Sequence, residues 1–176
     1  MSGKTLVFAM NAGMYQEDLW PLGLFIGDHR ELVRLNRRTG LGNFYQPPNG
    51  VFLVADAGAL VVTTIEYADT RPHPLLATQS GPMLVHRGEL TAPPVMNPQS
   101  TSLLIRNGVC APSPDAAVFV ISDSPVTFYD FAKFFLTQLG CKEALYLDGS
   151  MSSLYAPQLG REHHGRDFGP MFGVAE

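Results

Sequence analysis

Asp148 is a lone carboxylate that ends the apolar run Ala144-Leu-Tyr-Leu, and Gly149, Ser150, Met151, Ser152 and Ser153 follow it directly. An apolar run that stops at Asp-Gly reads as a buried strand delivering a carboxylate to a sheet edge. A carboxylate there can stabilise a developing cation, attack it, or take a proton from water. Serine hydroxyls and backbone N–H groups beside it can hold an anion or sugar hydroxyls. The competing local reading is an aspartate that caps its own turn.

Other residues carry similar double readings. Arg106 follows an apolar segment and precedes Asn107-Gly108, a tight-turn signal. Its planar fork suits a phosphate, and an exposed hairpin end suits it equally. Asn11, Asn49 and Gln79 each sit beside a Gly or Pro turn, where a side-chain amide alone usually stabilises the turn. His163-His164 are adjacent and diverge, without C-x-x-C or H-x-x-x-H support, so no metal and no cofactor is expected. Cys110 and Cys141 are too few for a disulfide scaffold and read as two buried thiols, with a single bridge left open. No G-x-S-x-G, Walker loop or H-E-x-x-H occurs.

The elements that must position these groups are short. Leu6–Met10 reads as a buried strand ending at Asn11-Ala-Gly13. Leu24–Ile26 with Leu32–Leu35, and Val51–Ala55 with Leu60–Tyr67, read as hairpins. Asn43–Gly50 is a loop stiffened by Pro47-Pro48. Gln79-Ser-Gly-Pro82 introduces a strand at Met83–Val85, and Ser102–Ile105 is another.

The C-terminal third is clearer. Ala117–Ile121 reads as a strand. Phe128, Phe131, Ala132, Phe135, Leu136 and Leu139 fall at helical spacing, with Thr127 and Asp130 as a cap and Gly140 as the stop. Glu143–Leu147 is the next strand. The fold class expected is α+β: a mixed sheet of short strands and hairpins with a C-terminal right-handed βαβ unit. In such a unit Asp123 and Asp148 end their strands on one rim, about 10 Å apart if another strand lies between them.

With 176 residues, the chain is expected to be a single domain, residues 1–176. Charged residues are only 16%, against a usual ~25%. Many polar contacts must then come from amides, hydroxyls and backbone. A formal net charge of −4 argues against nucleic acid as partner, and Arg37-Arg38, the only basic doublet, reads as a solvated turn. No run approaches the ~20 apolar residues of a membrane span. No leader precedes the first strand, so the expectation is an intracellular protein or one whose leader was removed.

Five segments in this order carry a resemblance: Asn11-Ala-Gly-Met-Tyr15, Pro47-Pro-Asn-Gly-Val-Phe52, Ala77-Thr-Gln-Ser-Gly-Pro-Met-Leu84, Ile105-Arg-Asn-Gly-Val109 and Leu147-Asp-Gly-Ser-Met-Ser-Ser153. Together they resemble the phosphodiester glycosidase family from about Val7 to Val174. The resemblance implies a hydrolase that cleaves the glycosidic C–O bond of a sugar-1-phosphate diester, with a small-molecule or glycan substrate. It implies catalytic roles for Asp148 and Arg106, with Asp123 in reserve. It also implies a pocket lined by Asn11, Asn49, Gln79, Ser80, Gly81, Gly149, Ser152 and Ser153. Family members are commonly exported. Ser150 and Cys110 stand where the family usually has glycine. Two other readings are a metal-dependent phosphodiesterase that cleaves P–O, and a non-catalytic carbohydrate-binding domain using Trp20, Phe44 and Tyr45.

Overall fold

The structure is a computed structural model and describes residues 3–92, 96–148, 152–162 and 167–176. The first half holds β1 (Leu6–Asn11), β2 (Phe25–Gly27), β3 (Arg30–Val33), β4 (Gly50–Ala55), β5 (Gly58–Thr63) and helix α1 (Thr64–Thr70). Then come β6 (Leu76–Ser80), β7 (Met83–His86), β8 (Glu89–Leu90), β9 (Asn107–Ser113), β10 (Ala116–Ile121) and helix α2 (Phe128–Thr137). The chain closes with β11 (Ala144–Asp148), β12 (Leu154–Ala156), β13 (Arg161–Glu162) and β14 (Met171–Ala175).

The strands form three sheets, ordered β13-β12-β1-β14, β10-β9-β11-β7-β8 and β3-β2-β6-β4-β5. Every strand pairing among the described residues is antiparallel, so the expected mixed sheet is corrected to antiparallel sheets, within an α+β class that is mostly β. The strands flanking α2 do not pair with each other. β10 and β11 both run antiparallel to β9, which lies between them. Their ends therefore lie on one edge of that sheet, with β9 between them.

One core joins the three sheets. Met10, Phe52, Met83, Val109, Leu145, Leu147, Leu154 and Phe172 meet in it. Successive strand residues point to opposite faces, so the neighbours of this set build the outer clusters. Val51 and Leu53 of β4 pack with Leu24, Ile26 and Tyr67. Cys110 of β9 and Ala144 and Tyr146 of β11 pack under α2 with Phe128, Phe131 and Phe135. Strands β4, β9 and β11 are thus covered on both faces, which is why they read as continuous apolar runs instead of alternating ones.

Helix α2 forms where its spacing places it. The Thr127 hydroxyl accepts from the Asp130 N–H at 3.0 Å, and Gly140 takes the left-handed φ of 64° just past its end. Three expectations are corrected. The strand over Leu60–Tyr67 stops at Thr63, because Thr63 and Glu66 form a capping box that starts α1. Ser102–Ile105 makes only an isolated bridge between Leu104 and Val126. Cys110 and Cys141 are not two thiols but a disulfide, tying β9 to the segment that enters β11. No helix among the described residues is long and apolar enough to cross a membrane.

Candidate functional site

The edge where β10 and β11 end and β9 begins is built around Asn107. Its register partners are Ile121 on β10 and Asp148 on β11. The Asn107 side chain is fully buried. Its Oδ1 accepts from the Asp148 N–H at 2.8 Å, and its Nδ2 donates to Asn11 Oδ1 at 2.8 Å. Asn11 ends β1, so this pair also joins the first sheet to the second. Sequence reasoning took Asn107-Gly108 for a tight turn and missed this residue. The available signal is that Asn-Gly here heads the run Val109-Cys110-Ala111. Gly108 serves packing instead: a Cβ there would meet the Leu145 carbonyl oxygen at 2.8 Å.

Asn11 Oδ1 accepts a second bond from the Ser153 N–H at 2.9 Å. Two donors on one oxygen fix the orientation of the amide, because the flipped form would set its NH₂ against both of them. Asn11 Nδ2 is then left buried with no acceptor among the described residues. Leaving a buried donor unpaired costs about 1–3 kcal/mol, so such a group calls for a partner. Ser152 closes the corner. Its Oγ lies 2.9 Å from the Ile105 carbonyl and 3.0 Å from the Asp148 carbonyl, and its one proton is shared between these two acceptors. The structure thus brings Asn11, Asp148, Ser152 and Ser153 together, with Asp148 half-buried. Gly149 and Ser150 lie outside the described residues, as do His163 and His164.

Gln79, Ser80, Gly81 and Asn49 form a second group at the end of β6. Gln79 Oε1 accepts from the Leu24 and Asn36 N–H groups, and its Nε2 donates to the Asn36 carbonyl and to Thr64 Oγ1. All of its hydrogen-bonding capacity is used inside the protein, as a latch between β6, α1 and the segment after β3. Ser80 Oγ donates to the Leu147 carbonyl at 2.8 Å, holding β6 against the residue that precedes Asp148. Asn49 Nδ2 donates to the Phe44 carbonyl at 3.1 Å. A Cβ on Gly81 would meet that carbonyl at 2.7 Å and Asn49 Cβ at 2.8 Å, so only glycine fits there.

Arg106 lies beneath the rim. It is fully buried, its Nε donates to the Val126 carbonyl at 2.9 Å and its Nη2 to the Ser102 carbonyl at 3.1 Å. Nη1 donates to the Tyr146 hydroxyl at 3.3 Å, and the guanidinium stacks 3.8 Å from the centre of the Phe128 ring. Burial lowers its pKa, partly offset by Tyr146. Burial also pushes the Tyr146 hydroxyl well above its ordinary value; Arg106 opposes that shift, and the nearby Asp148 charge adds to it. The guanidinium expected to clamp a phosphate therefore faces protein groups. Asp123 is exposed just past β10 and pairs with Arg161 of β13. Among the described residues no group of three or more His, Cys, Asp or Glu side chains could hold a metal ion.

Comparison with known proteins agrees with this frame. YigE of Escherichia coli (strain K12) is 40% identical over 147 residues, covering 84% of this chain. The chain spans 57% of that relative's length. The zebrafish N-acetylglucosamine-1-phosphodiester alpha-N-acetylglucosaminidase catalytic domain, auto-inhibited by its pro-peptide, superposes with a TM-score of 0.57 at 17% identity. That match covers 87% of this chain and 54% of the zebrafish one. A hypothetical protein from Synechocystis superposes with a TM-score of 0.51 at 13% identity, covering 85% of this chain and 47% of its own. Both structures share the fold. Residues 4–174 match the family described as phosphodiester glycosidase, and this chain belongs to that family.

Proposed function

We propose that the protein hydrolyses the glycosidic C–O bond of a sugar-1-phosphate diester, releasing free sugar and a phosphomonoester, with Asp148 as the carboxylate at the anomeric carbon. The observation that carries the reading is Asn11 Nδ2, a buried donor without an acceptor among the described residues, fixed beside the backbone that presents Asp148. An oxygen of a bound substrate is the partner that donor lacks.

The chemistry suits a single carboxylate. A glycosidase that expels an alkoxide needs a general acid, hence two carboxyl groups. A phosphomonoester has a second pKa near ~6 and leaves without that help. The C–O electron pair goes to the phosphate oxygen, water supplies the new oxygen on the anomeric carbon, and its proton passes to Asp148 or to solvent. Asp148 stabilises the oxocarbenium-like charge that builds between the two events. Asn11 Nδ2 and the Ser153 hydroxyl supply donors to substrate oxygens.

Arg106 acts in this reading as a positioning residue. It fixes Tyr146, whose neighbours in the strand carry Asp148, and it anchors the Ser102 and Val126 segments. Gln79, Ser80, Gly81 and Asn49 shape the wall. Asp123 holds β13 to the end of β10 and takes no part in the bond cleavage.

The test is release of sugar from a sugar-1-phosphate diester by purified protein and by Asp148→Asn. The reading expects turnover in the first and loss of at least about a hundredfold in the second, the scale of a positioned acid–base group. Full activity in a folded Asp148→Asn protein removes the role.

A further inference from the structure

The arginine doublet is exposed, as a solvated turn requires, and it also borders a cavity. Trp20, Tyr45, Asn36, Arg34, Arg37 and Arg38 line an open cavity of about 600 Å³ with no carboxylate in its wall. The chain's net charge is −4, so three arginines converging on one cavity run against its overall balance. None of the three has an ion-pair partner among the described residues. Arg34 and Arg37 also border a neighbouring cavity that holds Arg71, His29 and His73 against a single carboxylate, Glu31. The positive field therefore continues past the segment on its other side.

The segment is held ready. Asn36 N–H donates to Gln79 Oε1 at 2.9 Å, Asn36 Nδ2 donates to the Leu22 carbonyl at 2.9 Å, and Asn36 Oδ1 accepts from the Arg38 N–H at 3.0 Å. Tyr45 is braced by Gly40, where a Cβ would meet the ring at 2.8 Å. Trp20 leaves 55% of its surface exposed, unusual for so large an apolar side chain. An aromatic face beside unpaired guanidinium forks suits a ligand with a ring to stack and oxyanions to pair.

We propose that this cavity binds an anionic saccharide, its ring on Trp20 and Tyr45 and its phosphate or sulfate-like groups on Arg34, Arg37 and Arg38. The saccharide part rests on the glycosidase reading; the anion part rests on the arginines. Hydrogen bonds tie the wall of the cavity to the segments that carry the candidate site. Gln79 holds Asn36, Ser80 beside it holds Leu147, and the Leu22 N–H donates to the Met14 carbonyl three residues after Asn11. A substrate reaching both places would carry a second anionic group beyond the scissile diester.

Trp20 is the only tryptophan in the chain, so its fluorescence reports this cavity directly. We expect glucose 6-phosphate and dextran sulfate to shift that emission in a saturable, salt-sensitive way, with glucose, dextran and inorganic phosphate at equal concentration giving no shift. The double variant Arg37→Ala/Arg38→Ala should weaken binding roughly tenfold or more, and Asp148→Asn should bind as the parent does. Tighter binding of the polymer supports a neighbouring repeat of a polyanionic glycan as the occupant; tighter binding of the monomer supports a free sugar phosphate. Equal binding of neutral and charged saccharide, unchanged binding in the double variant, or tighter binding of a single-stranded oligonucleotide overturns the proposal. A Trp20 response without hydrolysis of any diester refutes the glycosidase reading and leaves the anion site standing. Hydrolysis without a Trp20 response does the reverse.

Discussion

Asp148 hangs from Asn107: the Asp148 N–H donates to Asn107 Oδ1 at 2.8 Å, and the other end of that amide holds Asn11. One buried side chain therefore sets the positions of the proposed catalytic carboxylate and of the Asn11 donor, which has no acceptor among the described residues.

Asn107→Ala should remove that coupling. It removes the acceptor of the Asp148 N–H, at about 1–3 kcal/mol for a buried polar group that loses its partner, and leaves Asn11 Oδ1 with the Ser153 N–H alone. Asn107→Asp keeps the acceptor for Asp148 but turns a carboxylate oxygen toward Asn11 Oδ1. Both variants should unfold at lower denaturant and lose turnover, and Asn107→Asp should lose more turnover than its stability loss explains. Denaturant midpoints and kcat measured side by side check this.

Arg106 should behave as a residue that holds structure. Arg106→Lys keeps the charge but loses the fork that reaches Val126, Ser102 and Tyr146 together, and the flat stack on Phe128. We expect a loss of about 2–4 kcal/mol in stability, in the range of broken buried polar networks. KM for the phosphate substrate should stay within a few-fold. A large KM rise in a protein of normal stability would place the guanidinium on the substrate instead.

Tyr146 gives a pH signature. Its folded pKa is raised, first by burial. The folded state therefore holds the phenolic proton more tightly than the unfolded state does. The associated stability is fully present below the ordinary tyrosine pKa of about 10 and falls as pH rises above it. Tyr146→Phe should reduce that alkaline decline in melting temperature, and the ultraviolet titration of the parent should show Tyr146 and Tyr67, both raised first by burial, ionising later than the more exposed tyrosines.

The Cys110–Cys141 bridge closes a separation of 31 residues. On the chain-entropy account that is worth roughly 3–4 kcal/mol. The denatured, unreduced protein should show no free thiol, and reduction should lower the melting temperature. Two titratable thiols in the unreduced protein would contradict the bridge.

Much of the frame is written locally in the chain. The run ending at Asp148 is legible because β11 is covered on both faces, and α2 because its apolar stripe, Thr127 cap and Gly140 stop agree. Helix α1 is less so: Val61, Val62 and Ile65 continue a strand-like pattern, and only Thr63-x-x-Glu66 marks the switch. Asn107, Gln79 and Arg106 escape such reading for a different reason. Each takes its meaning from partners far along the chain, Asn11 and Asp148, Asn36 and Thr64, Tyr146 and Val126. A turn amide and a bridging amide look the same in sequence.

The most direct measurement is hydrolysis of a sugar-1-phosphate diester in oxygen-18 water, with both products weighed by mass spectrometry. Cleavage at the glycosidic C–O bond puts the label on the anomeric hydroxyl of the sugar and leaves the phosphomonoester unlabelled. Label in the phosphate would mean P–O cleavage and would contradict the account of Asp148 at the anomeric carbon.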